Sequence, residues 1–202
     1  MFDSEGRNLS KEDERKVERI FFREDFRRVY SDEIGSIQYA DKVVEFYADG
    51  FRRALNLEAV RERHFKIVLD YASSPASGVL PELLAEMGCT VVALNERIDE
   101  TKVAVSEEEL RQSHLQLASI CKALQADFGV RVDQGGEMIY VVDDGGEVVP
   151  PITLSAALAD LALLAHGPGG ILVLPVSLPM LFEDIASKRE GKVERTKLAL
   201  HT

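Results

Sequence analysis

The first third of the chain is patterned for helices. Four apolar side chains fall near helical spacing on a highly charged segment: Val17, Ile20, Phe21 and Phe26. Ser10 and Asp13 resemble a capping box before this segment, because the hydroxyl can accept a free N–H of the first helical turn. A second helix is expected over about 39–55, and a charged connector or third short helix over 56–63. Helices are therefore expected to open the chain.

The pattern changes at Phe65, where short apolar runs replace the helical spacing. The sequence predicts a buried strand over 65–70, a loop of small residues over 71–78, a short helix over 79–87 and a strand over 89–94. A strand, a helix and a strand in succession form a crossover, which implies that the two strands pair in parallel.

The next segment predicts a long helix and two more strands. Ser106 begins the helix, which runs to about Gln125, and the strands follow at 127–132 and 138–142. The letters DDGG between MIYVV and EVV are typical of a hairpin turn. We expect this hairpin, at 138–149, to be antiparallel because its turn is too short for a crossover.

A boundary is expected at Pro150-Pro151. An Ala/Leu-rich helix should begin behind it at Thr153 or Ser155 and end near His166, where glycines follow. A strand, a helix and a final strand are then expected over 170–176, 178–188 and 192–198. The string LPELL from Leu80 matches LPMLF from Leu178, each after a strand and a serine-containing loop, and we interpret this match as two copies of one α/β unit.

The charge of the chain narrows the classes of partner. Its formal net charge is −11, which argues against a nucleic-acid surface and against an anionic membrane surface, since both require clustered Lys and Arg.

The apolar runs are too short to span a bilayer, and the N-terminus is polar and acidic where a signal peptide would be apolar. Cys89 and Cys121 are too few for a disulfide framework. We therefore expect a cytoplasmic protein with reduced thiols.

The loop after the first predicted strand is a candidate anion site. Four of its small residues precede or open the short helix: Ser73, Ser74, Ser77 and Gly78. Free N–H groups at a helix N-terminus, with hydroxyls nearby, can hold a phosphate. Small residues can equally make a tight turn and cap the helix, so both interpretations stay open.

A second candidate lies in the segment DQGGE, between two predicted strands. Asp133 and Glu137 could supply the hard oxygen ligands that Mg²⁺ prefers. The alternative is a polar, glycine-rich hairpin without a metal. No sequence motif identifies a catalytic residue, because the chain carries no GxGxxG after a strand, no GxxxxGK[ST], no HExxH and no GxSxG.

The order of these segments resembles the α-D-phosphohexomutases, the phosphomannomutase/phosphoglucomutase family. FKIVLDYASSPASGVLPELLAEMGCTVVALN is similar to the opening of the second domain of that family, and ADFGVRVDQGGEMIYVVDDGGEVV to its metal-loop segment. GILVLPVSLPMLFEDIASKREGKVERTKLAL is similar to a unit of the third domain. The resemblance implies three parts: 1–63 as the end of a first domain and a helical linker, 64–150 as the second domain, and 151–202 as part of the third. The implied fold class is α/β, with mixed-sheet domains behind N-terminal helices.

Departures from the family pattern concern the metal loop. In the family, the aspartates of D-G-D-x-D-R hold Mg²⁺ and the arginine lies beside the phosphate. Asp133 matches the first aspartate, but Gly135 stands at the second, Glu137 at the third and Met138 at the arginine. The family's serine loop, which carries the phosphoryl group, would lie before this segment. The resemblance thus implies a chain without mutase activity of its own and without a specific Mg²⁺ cofactor.

Three functions remain open. The first is a non-catalytic mutase-like module of a nucleotide-sugar enzyme, which is regulatory, senses a sugar phosphate or forms oligomers. The segments ERKVERIFFREDFRRV and EIGSI resemble the junction behind sugar-1-phosphate nucleotidyltransferases such as mannose-1-phosphate guanylyltransferase. The second is part of an active phosphomannomutase or phosphoglucomutase. The third is a structural interaction domain without a ligand.

Aromatic residues of the predicted N-terminal helices should be covered. They are Phe21, Phe22, Phe26, Phe46, Tyr47 and Phe51. Exposing several of them would cost several kcal/mol at about 25 cal/mol per Å² of apolar surface. We therefore expect them to pack on the 64–149 unit or to form a homo-oligomer, with neighbouring domains of a longer protein as the other partners.

Overall fold

The computed structural model describes residues 1–39, 41–99, 101–102 and 105–197. The chain divides into two compact units. The central unit is Ala40–Leu161, and the terminal unit combines Met1–Tyr39 with Ala162–Thr202.

Helices and strands follow one another as the sequence pattern predicts. In chain order they are α1 (Lys11–Arg23), α2 (Val43–Ala54), α3 (Leu57–Arg61), β1 (Lys66–Asp70), α4 (Leu80–Glu86), β2 (Thr90–Leu94), α5 (Glu107–Leu124), β3 (Phe128–Val132), β4 (Ile139–Val142), α6 (Pro151–His166), β5 (Ile171–Pro175), α7 (Leu181–Lys188) and β6 (Lys192–Thr196). A short 3₁₀ helix, Pro75–Gly78, precedes α4.

The central unit is built on a mixed four-stranded sheet in the order β2-β1-β3-β4. Strand β1 pairs in parallel with both β2 and β3, which confirms the predicted crossover. Strand β4 runs antiparallel to β3. The chain returns after β4 through a turn that brings Val148 opposite Val142 in a single antiparallel bridge. The α/β class with a mixed sheet is thus confirmed.

Helix α5 covers one face of this sheet. Its buried side chains Leu117 and Cys121 pack with Val68 of β1 and Val142 of β4. At Gly129 of β3 an added Cβ atom would lie 2.8 Å from the sulfur of Cys121. Helix α5 and β3 are therefore tightly packed at this position.

Helix α4 and the loop after β1 cover the opposite face. Leu69 and Tyr71 form a buried cluster with Val132. Helix α2 packs beside α4 through Ala48, which contacts Leu83. At the edge of this contact the guanidinium of Arg52 donates two hydrogen bonds, of 2.7 and 2.8 Å, to the carboxylate of Glu86. These contacts attach the second predicted helix to the α/β core.

The terminal unit contains a second crossover. Strands β5 and β6 pair in parallel, with α7 between them in sequence. Arg195 of β6 fixes the segment before α7. Its Nε and Nη2 donate to the carboxylate of Glu183, and its Nη1 donates to the carbonyls of Pro175 and Leu178. The strand–helix–strand unit predicted from the LPELL and LPMLF strings is therefore present twice.

Several helix limits differ from the prediction. Helix α2 begins at Val43 instead of about Tyr39. Helix α6 begins at Pro151, before the predicted start at Thr153 or Ser155, because proline has no N–H to leave unpaired in a first turn. Helix α7 begins at Leu181 instead of Leu178, since the carbonyls of Leu178 and Pro179 accept hydrogen bonds from Arg195. Helix α1 ends at Arg23, before Phe26, because Glu24 adopts a left-handed conformation with φ of 52°. The end of the last predicted strand, Leu198, lies outside the described residues.

The expected burial of the N-terminal aromatics on the core is confirmed for Phe51 and is wrong for Phe46 and Tyr47, the other two rings of the central unit. Phe51 packs against the Ala48 cluster, whereas the other five rings are more than half exposed: Phe21, Phe22, Phe26, Phe46 and Tyr47. Phe21 instead makes edge-to-face contacts with Phe22 and Phe26, its neighbours in the sequence. Homo-oligomerisation through these rings stays a prediction.

No helix within the described part of the chain is long and apolar enough to cross a membrane.

Replacing Gly129 by alanine should destabilise the central unit. The new methyl group would meet Cys121 at 2.8 Å and Leu117 at 3.1 Å, and overpacking of this kind costs about 1–3 kcal/mol. Urea denaturation of Gly129→Ala should show this loss. Gly78→Ala is the matched control, because nothing lies within 4 Å of its added carbon. Equal stability of the two variants would contradict the tight packing of α5 on β3.

Candidate functional site

The carboxyl ends of β1, β2 and β3 meet at one edge of the central sheet. Asp70 is opposite Leu94 on one side and Arg131 on the other. In open α/β sheets, ligands bind in crevices outside this edge. The loops that follow the three strands therefore define the candidate site.

A buried ion pair fixes this edge. Asp70 is 2% exposed and forms a salt bridge with Arg131, which is 5% exposed. The second carboxylate oxygen of Asp70 accepts from the side-chain amide of Asn95 at 2.8 Å and from the backbone N–H of Ala72 at 2.9 Å. One carboxylate thus connects the ends of all three parallel strands.

The loop after β1 is held in an uncommon backbone conformation. Ala72 and Ser73 both have positive φ, of 50° and 60°, and both are buried. The N–H of Ser73 donates to the carbonyl of Asn95, which itself has φ of 49°. Side-chain-bearing residues in this region cost about 1–3 kcal/mol each, and such strain is concentrated at binding sites.

The serine loop shows the contacts of a helix cap. The hydroxyl of Ser74 accepts from the N–H of Ala76 at 3.3 Å, and the hydroxyl of Ser77 donates to the carbonyl of Ser74. Ser73 instead lines a cavity, and Gly78 is exposed at the end of the 3₁₀ helix. The anion-binding role of these residues stays a prediction.

The loop at Asp133 is closed by its own backbone. One carboxylate oxygen of Asp133 accepts from the N–H groups of Glu137 and Met138 at 2.7 and 2.9 Å. The N–H of Gly136 donates to the carbonyl of Asp133. The side chains of Glu137 and Met138 are exposed.

The hairpin turn at Asp143 has the same construction. Its sequence DDGGE parallels DQGGE of the first loop. Asp143 accepts from the N–H of Glu147 at 2.8 Å, and Gly146 donates to the carbonyl of Asp143. The Asp133 carboxylate therefore does in its loop what Asp143 does in an ordinary hairpin.

Gly135 occupies the position where a second carboxylate is missing. A Cβ atom at Gly135 would lie 3.5 Å from the free oxygen of Asp133 and 3.7 Å from Cγ of Glu137. These two carboxylates flank the gap, and the described residues contain no group of three Asp, Glu, His or Cys side chains suited to a metal. Since Mg²⁺ prefers near-octahedral oxygen coordination, the residues of this loop do not fit the three-carboxylate site of the resembled family.

Three neighbouring cavities surround this edge of the sheet. Their volumes are about 400, 320 and 240 Å³, and Gln134 lines all three. Arg131 lines the largest and the smallest. Its Nε–H has no hydrogen-bond partner among the described residues.

His114 of α5 lies beside the same group. Its ring is 4.6 Å from that of Tyr140, the strand neighbour of Arg131. Its buried Nε2 has no partner within the described ranges. Burial lowers the pKa of His114 below its ordinary value, the Arg131 charge lowers it further, and Asp70 opposes the shift.

Sequence reasoning missed most of this arrangement. Asp133 and Glu137 lie close together as expected, but Asp70, Asn95, His114 and Arg131 were not singled out. The signal that could have found them is Arg131 itself, a charged residue within the buried strand FGVRV. A buried charge requires a partner, and Asp70 ends the neighbouring parallel strand.

Acidification should weaken the central unit through His114. The folded state holds this ring neutral, so its pKa lies below the unfolded value of 6.5. The stabilisation is complete above pH 6.5 and is lost as the pH falls through the folded pKa, since the unfolded chain binds the proton more readily. His114→Phe keeps a ring against Tyr140. Urea denaturation of this variant should show no contribution of position 114 to the change in the free energy of unfolding between about pH 7.5 and about pH 5. An unchanged slope would show that His114 is not its source.

Comparison with known proteins places these features in a family. Residues 45–146 match the model of the phosphoglucomutase/phosphomannomutase α/β/α domain II. A phosphoglucomutase/phosphomannomutase of Thermococcus kodakarensis is 34% identical over 198 residues, which cover 98% of this chain and 43% of the relative. A phosphoglucosamine/phosphogalactosamine mutase of Sulfurisphaera tokodaii is 26% identical over 97% of this chain and 44% of its own length. The chain spans less than half the length of these curated relatives.

A solved structure shows the same fold. The phosphoglucomutase/phosphomannomutase family protein of Burkholderia thailandensis superposes with a TM-score of 0.67 at 18% identity, over 95% of this chain and 40% of that one. The domain II match extends over half of the chain and includes β1, β2, β3 and β4 with their loops. The chain belongs to the phosphoglucomutase/phosphomannomutase family.

Proposed function

We propose that this chain is a mutase-like module of sugar-phosphate metabolism that does not itself catalyse phosphoryl transfer. Its role is then regulatory, sugar-phosphate-sensing or oligomerising. A sugar-1-phosphate nucleotidyltransferase fused to it, as the resemblance of the N-terminal segment suggests, would be the enzyme it serves.

The hydrogen bonding of the Asp133 loop carries this proposal. Backbone N–H groups donate to Asp133 at 2.7 and 2.9 Å and close the loop. The turn at Asp143, which has the same construction, supports the interpretation of the loop as a structural turn.

Gly135 and Met138, which stand where the family pattern has a carboxylate and an arginine, also support the proposal. Gly135 brings no ligand atom between Asp133 and Glu137. Met138 is 54% exposed and offers a thioether where the family pattern has a guanidinium, and a thioether cannot donate to a phosphate. Phosphoryl transfer depends on charge neutralisation and positioning, and this loop supplies little of either.

Part of an active phosphomannomutase or phosphoglucomutase is the second candidate. It is favoured by the 34% identity to a named phosphoglucomutase/phosphomannomutase over almost the whole chain. It is also favoured by the positions of Asp133 and Glu137, which both lie beside the open Cβ position of Gly135. In that case the two carboxylates would hold Mg²⁺ with water in the remaining positions.

A coupled assay tests whether the chain itself catalyses phosphoryl transfer. The chain, with Mg²⁺ and a hexose 1,6-bisphosphate activator, should not interconvert mannose 1- and 6-phosphate or the glucose pair. Asp133→Ala is the companion variant. Turnover in the wild type that disappears in Asp133→Ala would establish the active mutase and overturn the proposal.

Restoring a carboxylate at position 135 should create metal affinity. Gly135→Asp places a third acid between Asp133 and Glu137, and its backbone does not require glycine. Calorimetric titration with Mg²⁺ should show at least about tenfold tighter binding than in the wild type, or about 1.4 kcal/mol.

Two variants control for charge alone. Gly78→Asp adds the same charge at an exposed position elsewhere in the central unit and should not increase Mg²⁺ affinity. Glu137→Gln, combined with Gly135→Asp, should remove most of the gain. Equal gains in Gly78→Asp and Gly135→Asp would show that the loop geometry contributes nothing.

A further inference from the structure

The hairpin turn after β4 carries a dipeptide whose two residues can react with each other. In an Asp-Gly step the backbone nitrogen of the glycine can attack the side-chain carboxyl of the aspartate. Glycine favours this attack because it has no Cβ atom to shield the nitrogen or to restrict the backbone. The chain contains two such steps, Asp49-Gly50 and Asp144-Gly145, and no Asn-Gly step. The structure gives the two steps opposite surroundings.

Asp144 and Gly145 form the tip of the turn. Both are exposed, and the turn is closed behind them by the N–H of Gly146, which donates to the carbonyl of Asp143 at 3.1 Å. The N–H of Gly145 and the carboxylate of Asp144 have no hydrogen-bond partner among the described residues. The attacking nitrogen and the carboxyl carbon belong to adjacent residues, so ring closure requires only bond rotations within this tip.

The same dipeptide is protected inside α2. Gly50 lies in the interior of the helix, where each N–H is bonded to the carbonyl four residues earlier. The carboxylate of Asp49 accepts from the guanidinium of Arg52 at 2.9 Å, and its carbonyl accepts from Nε of Arg53 at 3.2 Å. Ring closure at Asp49 therefore requires local opening of the helix, which costs free energy.

The loop at Asp133 provides a second comparison within the chain. It is closed by the same hydrogen bond, from the N–H of Gly136 to the carbonyl of Asp133 at 3.1 Å. Gly136 and Gly146 both have positive φ, of 72° and 79°. Gln134 stands where the hairpin has Asp144. Glutamine would have to close a six-membered ring, which forms less readily than the five-membered ring of aspartate, so the two turns differ in their one reactive position.

We propose that Asp144 is a site of spontaneous covalent modification, at which the folded chain converts aspartate to isoaspartate while Asp49 is preserved. The nitrogen of Gly145 attacks Cγ of the protonated Asp144 carboxyl, a C–N bond forms, and the hydroxyl leaves with the proton of that nitrogen as water. Water then adds to the main-chain carbonyl of the resulting succinimide. Cleavage of the original C–N bond leaves the chain running through Cγ. The composition is unchanged, so water is the only co-reactant. The modification goes beyond the proposed module function.

Isomerisation lengthens the main chain of the turn by one carbon atom. The turn has little room on its α5 side, because a Cβ atom at Gly146 would lie 3.0 Å from the carbonyl oxygen of Ala118 and 3.1 Å from Cβ of Lys122. The N–H of Asp143 also donates to the carbonyl of Glu147 at 3.0 Å, and this bond spans the same tip. We therefore expect the isoaspartyl chain to unfold at a lower urea concentration than the original chain.

Prolonged incubation of the full chain at neutral pH tests the proposal, with folded and urea-unfolded samples in parallel. Methyl transfer by a protein-isoaspartate methyltransferase measures isoaspartate, and electron-transfer fragmentation of peptides assigns its position. In the folded chain Asp144 should yield at least about tenfold more isoaspartate than Asp49, because Asp49 reacts only after α2 opens. In urea the two positions should react at similar rates, since the fold no longer separates them.

Two variants assign the reaction to the turn. Asp144→Glu keeps the charge but requires the larger ring, so it should lose the isoaspartate signal of the hairpin. It should also lose the fraction of incubated chains that unfolds at lower urea concentration. Gln134→Asp gives the loop at Asp133 the letters DDGGE of the hairpin and should add a second signal at position 134.

Four results would overturn the inference. Isoaspartate at Asp144 in urea but not in the folded chain would show that the turn prevents ring closure. Equal amounts at Asp49 and Asp144 in the folded chain would show that the helix gives no protection. An unchanged signal in Asp144→Glu would place the reaction elsewhere, and no added signal in Gln134→Asp would show that this turn construction does not permit it. Mutase turnover in the coupled assay would refute the proposed function and leave this result unaffected.

Discussion

The ion pair between Asp70 and Arg131 is the constraint on which the candidate site depends. It is almost completely buried, and it connects neighbouring parallel strands where both end. Removing one partner of such a pair typically costs about 3–5 kcal/mol, because the other charge is left buried and unpaired. Asn95 brings β2 into the same interaction. The left-handed turn at Ala72 and Ser73, and the cavity beyond it, follow from this fixed edge.

The loop at Asp133 is built like an ordinary hairpin turn. Its sequence differs from the hairpin turn at Asp143 in a single letter, and both turns are closed by an aspartate that accepts backbone N–H groups. Each aspartate therefore stabilises its own turn through hydrogen bonds from the backbone.

Much of the fold could be predicted from the sequence, because local patterns determine it. The apolar run ending at Asp70 and the LPELL string predicted the first crossover. The apolar run GILVLPV and the LPMLF string predicted the second. Element limits were less predictable where a distant side chain decides them, as Arg195 does for the start of α7. The exposure of Phe21 and Phe22 could not be predicted, since burial depends on which surfaces are within reach and not on the period of the helix.

The candidate site was predictable only in part for a related reason. Asp133 and Glu137 are close in sequence, so their proximity in space was expected. Asp70 and Arg131 are far apart in the chain and meet only because β1 and β3 pair in a particular register. Periodicity does not fix that register. The charge inside β3 could have pointed to a buried partner, but not to which one.

A double-mutant cycle on Asp70 and Arg131 tests the central claim most directly. Free energies of unfolding are measured by urea denaturation for Asp70→Asn, Arg131→Met and the double variant. We expect the double variant to be more stable than the sum of the single losses predicts, with a coupling of about 1–3 kcal/mol. Losses that add within about 0.5 kcal/mol would show that the two residues act independently. The carboxyl edge of the sheet would then be held by something other than this pair.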